Sequence, residues 1–176
     1  YITNEKSRKV SHLLRSRNDG ILITSKTLIK DNPLLNCRIP GLEKYNPIRV
    51  ILDKNLNIPL NSRIVRSSNL VKTIIFYNKH DNKKINRLKR KKIRLIQVDL
   101  DNNQLPLIEI FKILYRLKIS RLLIEGGKKL TNSLVNKSLI DEFFLFKNNL
   151  NIKKKGRLNV NSIIRKIKKK SKQQRM

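Results

Sequence analysis

The spacing of apolar residues along the chain predicts a succession of helices and strands. Near the start, Val10, Leu13 and Leu14 recur three and four residues apart, which predicts an amphipathic helix over residues 4–17 with Thr3 as its N-cap. Short apolar runs between turn residues predict buried strands at residues 20–24, 48–52, 73–77 and 93–98. The Lys- and Arg-rich residues 83–92 are interpreted as a basic connection.

The second half of the chain continues this alternation. Pro106 suits the first turn of a helix that runs to about Lys118, because the missing N–H of proline costs little there. A strand at residues 120–125, a helix at 128–136 and a strand at 143–146 follow. Strands that alternate with helices predict a parallel sheet with right-handed crossovers, and therefore an α/β fold.

The length and composition restrict the class of protein. The 176 residues suffice for one domain with its own core. No apolar run approaches the roughly 20 residues that cross a bilayer, and the first residues lack the features of a signal peptide. The single cysteine, Cys37, allows neither an internal disulfide nor a cysteine-based zinc site. We therefore expect a cytoplasmic protein without membrane association and without a metal.

The net charge of +30 permits two interpretations. Lys and Arg neutralise phosphates, which favours a nucleic-acid-binding protein. Alternatively, the chain has no alanine and only five glycines but abounds in Lys, Asn and Ile, as expected where a genome drifts towards AT-rich codons. We favour drift, because aromatic residues make up only 5% of the chain and no nucleic-acid-binding motif occurs.

The strongest local signal is the segment Leu122-Leu123-Ile124-Glu125-Gly126-Gly127, where an apolar strand ends in two glycines and a helix follows. Glycines let a ligand approach the backbone, and the first N–H groups of a helix attract anions. Lys128 and Lys129 add positive charge, so the pattern predicts a site for a phosphate-bearing ligand at the strand end. The alternative is a plain tight turn without a ligand. Glu125 argues against that alternative, because a carboxylate at this position contributes little to packing.

Two further groups of residues suit an anionic ligand. Arg8, His12 and Arg15 share one face of the first predicted helix, where they form either a phosphate clamp or a solvated basic surface. The segment from Thr24 to Arg38 follows a strand end, where its hydroxyl groups can bond to a phosphate or a ribose, and Asp31 and Arg38 lie across a turn predicted at Asn32-Pro33. Ordinary turn chemistry is the alternative for that segment.

In combination, these residues resemble one known family, the reductase domain of the bifunctional riboflavin-biosynthesis deaminase/reductase. The resemblance covers residues 1–147 and depends on several motifs that occur in the family's order. The motifs are Ile2-Thr3, Ser7-Arg8-x-x-x-His12-x-Leu14-Arg15, Asp19-Gly20-Ile21-Leu22-Ile23-Thr24-Ser25-x-Thr27, Asp31-Asn32-Pro33-x-Leu35-x-x-Arg38, Pro47-Ile48-Arg49-Val50-Ile51-Leu52-Asp53, Leu123-Ile124-Glu125-Gly126-Gly127 and Leu139-Ile140-Asp141-Glu142. The family implies an α/β fold similar to dihydrofolate reductase, a mixed, mostly parallel sheet flanked by helices.

The resemblance also implies a reaction, the NADPH-dependent reduction of the ribose of 5-amino-6-(5-phosphoribosylamino)uracil, a phosphorylated pyrimidine, to the ribitylamino product. Contacts to this substrate are implied for Arg15, Leu35, Arg38 and Glu125. Contacts to NADP are implied for Tyr1, Thr27, Asp31, Gly127, Lys128, Lys129, Leu130, Thr131, Asn132 and Ser133. No catalytic proton donor follows from these residues. The family implies a homodimer or a larger oligomer.

The chain departs from the family pattern at both ends. The family's first strand and its closing strands are not found, and no zinc deaminase signature such as Pro-Cys-x-x-Cys occurs. Lys54 stands where many relatives have Ser. We therefore expect a truncated reductase domain at residues 1–147 and a basic segment at 148–176, in which three isoleucines suit one face of a short helix.

Two other functions stay open beside this reductase. A basic nucleic-acid-binding protein would bind its partner with an affinity that falls steeply as salt rises. A reductase of the same fold acting on another substrate, such as a pterin, is the second alternative. Arg15 and Arg38 favour a phosphorylated substrate over a pterin, because a guanidinium group binds phosphate through paired hydrogen bonds.

Overall fold

The computed structural model of the chain describes residues 5–146 and 161–173. The chain divides into two compact units, Arg8–Glu125 and a second unit that combines Tyr1–Ser7 with Gly126–Met176. In chain order the helices and strands are α1 (Glu5–Ser16), β1 (Gly20–Thr24), α2 (Ser25–Asp31), β2 (Ile48–Leu52), α3 (Arg63–Arg66), β3 (Thr73–Tyr77), α4 (Asn82–Arg90), β4 (Arg94–Gln97), α5 (Leu107–Arg116), β5 (Leu122–Ile124), α6 (Lys128–Asn136) and α7 (Asn161–Gln173).

Most of these elements have the bounds that the apolar pattern predicts. β1, β2, β3 and α6 coincide with predicted segments, and α1, β4, α5 and β5 lie within theirs. The residues of β3 are all buried, and so are four of the five residues of β1. Strands that are covered on both faces contain continuous apolar runs rather than alternating ones, which explains why these two were recognisable in the sequence.

The five strands form one parallel sheet with the order β4-β3-β2-β1-β5. β1 lies next to the sheet edge formed by β5, and Leu22 in β1 pairs with Val50 on one side and Ile124 on the other. Because parallel strands point the same way, their carboxyl ends meet along one edge of the sheet. Ligands of open α/β sheets bind outside that edge, so Thr24 and Glu125 lie where a site is expected.

The basic segment 83–92 is mostly a helix, so its interpretation as a connection was wrong. Asp81 is the N-cap of α4, and its carboxylate accepts a hydrogen bond from the N–H of Lys84 at 2.9 Å. Ile85 and Leu88 are buried, while most of the Lys and Arg side chains around them are exposed. These two apolar residues, three positions apart, form the buried face that docks the helix. Most of the other positions face solvent, so charged side chains are accommodated there.

The strand predicted at residues 143–146 is also wrong. Residues 142–146 have no regular secondary structure, and the side chains of Phe143 and Phe144 are 40% and 50% exposed. An apolar run becomes a strand only where a neighbouring strand pairs with its backbone. In the sheet of the described residues, no strand pairs with this segment.

The core of the Arg8–Glu125 unit contains one fully buried cation, Arg49 in β2. Its guanidinium donates to the hydroxyl groups of Thr73 and Ser67 at 3.0 and 2.8 Å and to the carbonyl oxygens of Ser67 and Val71 at 3.1 and 2.6 Å. A weaker contact of 3.4 Å reaches the carbonyl oxygen of Leu34. Burial lowers the pKa of Arg49 to about 10, so the side chain keeps its charge at neutral pH. Arg49 therefore ties β2 to the segment between α3 and β3.

The second unit contains α6 packed against α7, with Leu130, Leu134, Val135 and Ile163 buried. The short helix expected among the three isoleucines of the basic segment is thus confirmed. The boundary at residue 147 lies outside the described residues and stays a prediction. Within residues 5–146 and 161–173, no helix is long and apolar enough to span a membrane, and no cluster of side chains suits a metal ion.

Candidate functional site

Arg15 in the last turn of α1 forms a bidentate ion pair with Glu125, the residue that follows β5. Arg15 Nε lies 2.9 Å from Glu125 Oε1, and Arg15 Nη2 lies 2.9 Å from Glu125 Oε2. The Glu125 N–H donates to the carbonyl oxygen of Leu22, which anchors the carboxylate to the end of the sheet. The structure therefore brings together two residues for which the family resemblance implies substrate contacts.

The same helix also holds the loop after α2. Arg15 Nη1 donates to the carbonyl oxygen of Asn36 at 3.2 Å, and His12 Nδ1 lies 3.1 Å from that oxygen. The peptide N–H of Arg38 donates to His12 Nδ1 at 3.2 Å. We refer to Arg15, Glu125, His12, Asn36 and Arg38 as the Arg15 cluster. Its members come from α1, from the end of the sheet and from one loop.

The surroundings of His12 favour the neutral imidazole. Partial burial lowers the pKa of His12, and the positive charges of Arg15 and Arg38 lower it further. The carbonyl oxygen of Asn36 and the carboxylate of Glu125 oppose this shift without reversing it. His12 is therefore uncharged at neutral pH.

α1 uses its polar face, and not its apolar one, for these contacts. His12 and Arg15 are half-buried, so a solvated basic surface does not describe them, although Arg8 on the same stripe is exposed. Val10 is 43% exposed, and α1 contains no fully buried residue. The apolar face of α1 is thus open to solvent at Val10, while hydrogen bonds from the opposite face hold the helix.

Leu35 has an unusual backbone conformation beside the Arg15 cluster. Its φ of +54° lies in the left-handed region, which is uncommon for a residue with a bulky side chain and tends to occur at functional sites. The side chain is 2% exposed and belongs to the core. A substrate contact by Leu35 would therefore involve its backbone. The side chain of Arg38, three residues further on, is exposed.

The segment after β1 is a helix that the sequence pattern did not predict. Thr24 is the N-cap of α2, and its hydroxyl oxygen accepts from the N–H of Thr27 at 3.4 Å and lies 3.2 Å from the Thr27 hydroxyl. Asp31 ends α2 and is exposed one turn after Thr27. The turn expected after Asp31 is confirmed, since Asn32 adopts the left-handed conformation at the helix end. Thr27 and Asp31, both predicted NADP contacts, thus share one face of α2.

The start of α6 has features that fit a phosphate group. Gly127 is the N-cap, with φ −76° and ψ 173°, and no side chain caps the helix there. A Cβ atom added at Gly127 would meet nothing within 4 Å, so the space beside this backbone is open. The first N–H groups of a helix carry partial positive charge and bind anions. The charge of Lys129, which is exposed, adds to this field.

The other residues of α6 with implied NADP contacts are less exposed than Lys129. Lys128, Asn132 and Ser133 are half-buried, and Thr131 donates its hydroxyl to the Gly127 carbonyl oxygen at 3.3 Å. Leu130 is 8% exposed, so its side chain serves packing within the second unit. Tyr1 lies outside the described residues.

Asn36 is the member of the Arg15 cluster that sequence analysis missed. It acts through its backbone carbonyl oxygen, which receives Arg15 and lies beside His12. Every residue carries such an oxygen, so no side-chain pattern distinguishes this one. The only available signal was its position between Leu35 and Arg38, two residues of a recognised motif.

Comparisons with known proteins identify the family of this chain. Residues 1–149 match the family described as the RibD C-terminal domain. The riboflavin biosynthesis protein RibD of Aquifex aeolicus is 33% identical over 146 residues, which are 83% of this chain and 39% of that protein. The 5-amino-6-(5-phosphoribosylamino)uracil reductase of Buchnera aphidicola subsp. Acyrthosiphon pisum is 29% identical over 160 residues, covering 83% of this chain and 73% of that protein.

A solved structure supports the fold independently. The pyrimidine reductase-like protein of Corynebacterium diphtheriae superposes with a TM-score of 0.68 at 15% identity, covering 80% of this chain and 62% of that chain. This likeness confirms the expected α/β, dihydrofolate-reductase-like fold class. In this chain, all five described strands are parallel. The matched region is only about two fifths of the length of the RibD proteins, as the 39% coverage of the Aquifex protein illustrates.

Proposed function

The chain belongs to the RibD C-terminal domain family, and on this basis we propose that it reduces 5-amino-6-(5-phosphoribosylamino)uracil with NADPH in riboflavin biosynthesis. The Buchnera relative carries the name of this reductase. The reaction adds a hydride to the ribose carbon that bears the amino group and a proton to the ring oxygen. The C–O bond of the ring breaks, and the open ribitylamino chain results.

The Arg15 cluster is the observation that carries this proposal. Arg38 has an exposed guanidinium group, which suits the 5′-phosphate of the substrate. Glu125 uses one lone pair on each carboxylate oxygen for Arg15, and the remaining lone pairs accept hydrogen bonds from substrate N–H or hydroxyl groups. Arg15 fixes the carboxylate through two hydrogen bonds, so the acceptors are oriented before the substrate arrives.

We assign the cofactor phosphates to the start of α6, from Gly127 to Ser133, and further NADP contacts to Thr27, Asp31 and Tyr1. The open space beside Gly127 and the uncapped helix start support this assignment. Bound NADPH would supply the hydride.

A direct assay tests the proposal. The purified chain is mixed with the substrate and NADPH, and the loss of NADPH absorbance is followed. Oxidation that requires the substrate supports the proposal, and parallel reactions with NADH and with dihydrofolate measure the cofactor and substrate preference. A chain with a cooperative unfolding transition that oxidises no NADPH under these conditions refutes it. Arg116→Met, which alters an exposed ion pair with Glu109, is the matched control and should keep wild-type activity.

We also propose a homodimer or larger oligomer in the cytoplasm, as the family resemblance implies. Light scattering of the purified chain during gel filtration measures the oligomeric state directly. A mass equal to one chain at every concentration would contradict that part of the proposal.

A further inference from the structure

We propose that His12 is a positioning residue for the substrate, because its imidazole holds the peptide group of Arg38 and thereby places the guanidinium that meets the phosphate. This inference rests on the proposed function of the Arg15 cluster as the substrate site. It assigns His12 a role through Arg38 and no direct contact with the substrate.

His12 Nδ1 lies between two backbone groups of the loop. The Arg38 N–H is directed at it, with 3.2 Å between the two nitrogen atoms, and the carbonyl oxygen of Asn36 lies 3.1 Å from it. Nδ1 can accept from the first or donate to the second, but not both. We assign the lone pair of Nδ1 to the Arg38 N–H and the ring proton to Nε2, because the Asn36 oxygen already accepts from Arg15 Nη1. His12 and Arg15 therefore hold two different peptide groups of one loop.

The loop depends on such contacts because it contains Leu35 in the left-handed conformation. In each of the three residues that follow Leu35, a hydrogen bond holds one backbone group. Asn36 is held through its carbonyl oxygen, Cys37 through its N–H, which donates to Asn46 Oδ1 at 2.8 Å, and Arg38 through its N–H. The side chain of Arg38 is exposed. The position of its backbone therefore determines where the guanidinium group can meet a ligand.

Protonation would exchange the two partners of His12. An imidazolium has a proton on Nδ1, which can donate to the Asn36 carbonyl oxygen but cannot accept from the Arg38 N–H. The charged groups around the ring are Arg15 on α1, Arg38 on the loop and Glu125 at the end of β5. Two cations against one carboxylate resist a further positive charge, as does burial, so the contact to Arg38 persists at neutral pH and is lost in acid.

Two substitutions separate positioning from packing. His12→Asn offers an amide oxygen at the place of Nδ1 and does not titrate, whereas His12→Leu offers no acceptor. We expect His12→Leu to raise KM for the substrate about tenfold, while kcat and KM for NADPH change less than about twofold. His12→Asn should restore KM to within about threefold of wild type. His80→Asn, which changes the other histidine at an exposed position, is the control.

A spectroscopic measurement without any ligand tests the geometry. In nitrogen-labelled protein, we expect His12 to be protonated at Nε2 and the Arg38 amide resonance to shift as His12 titrates. A proton on Nδ1 at neutral pH, or an Arg38 resonance that ignores the titration of His12, would overturn the inference. An equal loss of kcat and of both affinities in His12→Leu, with no rescue by His12→Asn, would show a purely structural role and would also overturn it.

The two proposals fail in different ways. If wild-type chain oxidises no NADPH, the proposed function fails, whatever tautomer His12 adopts. If wild type is active and His12→Leu has the wild-type KM for the substrate, only the positioning role of His12 fails.

Discussion

Arg15 and Glu125 are 110 residues apart in the sequence and share two hydrogen bonds of 2.9 Å. The pair joins the last turn of α1 to the residue that follows β5. Its side chains are 13% and 31% exposed, so solvent still reaches the carboxylate while the arginine is largely enclosed. Such a pair serves as an oriented acceptor as well as a link between two elements.

Glu125→Gln should separate these two roles. The substitution keeps the shape of the side chain but removes the charge and half of its acceptor capacity. We expect KM for the substrate to rise by about tenfold or more, with a loss of about 1 kcal/mol in the free energy of unfolding. Steady-state kinetics and urea unfolding measure the two effects. Glu109→Gln, in the exposed pair with Arg116, is the control and should change neither quantity appreciably. An unchanged KM in Glu125→Gln would contradict the assignment.

Gly127→Ser should affect stability and cofactor binding differently. The φ of −76° at Gly127 is accessible to any residue, and serine is a better N-cap than glycine. We expect the free energy of unfolding to stay equal or to rise by a few tenths, about 0.3 kcal/mol. The serine hydroxyl would occupy the N–H groups proposed for the phosphate, so Kd for NADPH should rise about tenfold. Fluorescence titration measures this Kd, and an unchanged value would refute the assignment of α6.

The parallel sheet could be predicted from the sequence because its central strands are short apolar runs covered on both faces. The bounds of β1, β2 and β3 follow from this pattern alone. Predictions failed where an element depends on a partner elsewhere in the chain. Residues 143–146 have an apolar sequence but pair with none of the strands that the structure describes. By contrast, α4 needs only Ile85 and Leu88 to dock.

The candidate site was predictable only in part, for a related reason. Charged side chains such as Arg15 and Glu125 are visible in the sequence and belong to recognised motifs. Their mutual ion pair is not visible, since it joins residues from opposite ends of the unit. The carbonyl oxygen of Asn36 and the tautomer of His12 depend on backbone positions, which a side-chain pattern does not encode.

Arg49→Met should destabilise the fold strongly. The substitution keeps much of the side-chain volume but removes the buried hydrogen bonds that the guanidinium donates to Thr73, Ser67 and Val71. Hydrogen bonds from a charged donor contribute more than neutral ones, and we expect the free energy of unfolding to fall by about 3 kcal/mol. Arg49→Lys keeps a charge but not the planar fork, so it should recover only part of that loss.

Urea unfolding followed by circular dichroism measures both Arg49 variants. Arg116→Met removes an arginine that is 68% exposed and should cost less than about 0.5 kcal/mol. If Arg49→Met lost no more stability than Arg116→Met, the buried hydrogen bonds would not contribute as argued.

The lowered pKa of His12 makes stability depend on pH in a defined direction. Above the ordinary histidine pKa of 6.5, the imidazole is neutral in both the folded and the unfolded chain, so it contributes no pH dependence. As the pH falls below 6.5, the unfolded chain binds a proton at this residue that the folded chain does not bind. The free energy of unfolding therefore falls with decreasing pH until the pH passes the lowered pKa of the folded state.

The difference between wild type and His12→Asn isolates this effect, because the carboxylates that titrate in the same range are common to both proteins. We expect the stability of wild type relative to His12→Asn to be constant above about pH 7 and to decline below about pH 6.5, with a slope of at most about 1.4 kcal/mol per pH unit. Urea unfolding at a series of pH values provides the comparison. A difference that stays constant between about pH 5 and 7.5, or that grows in favour of wild type in acid, would show that folding does not lower the pKa of His12.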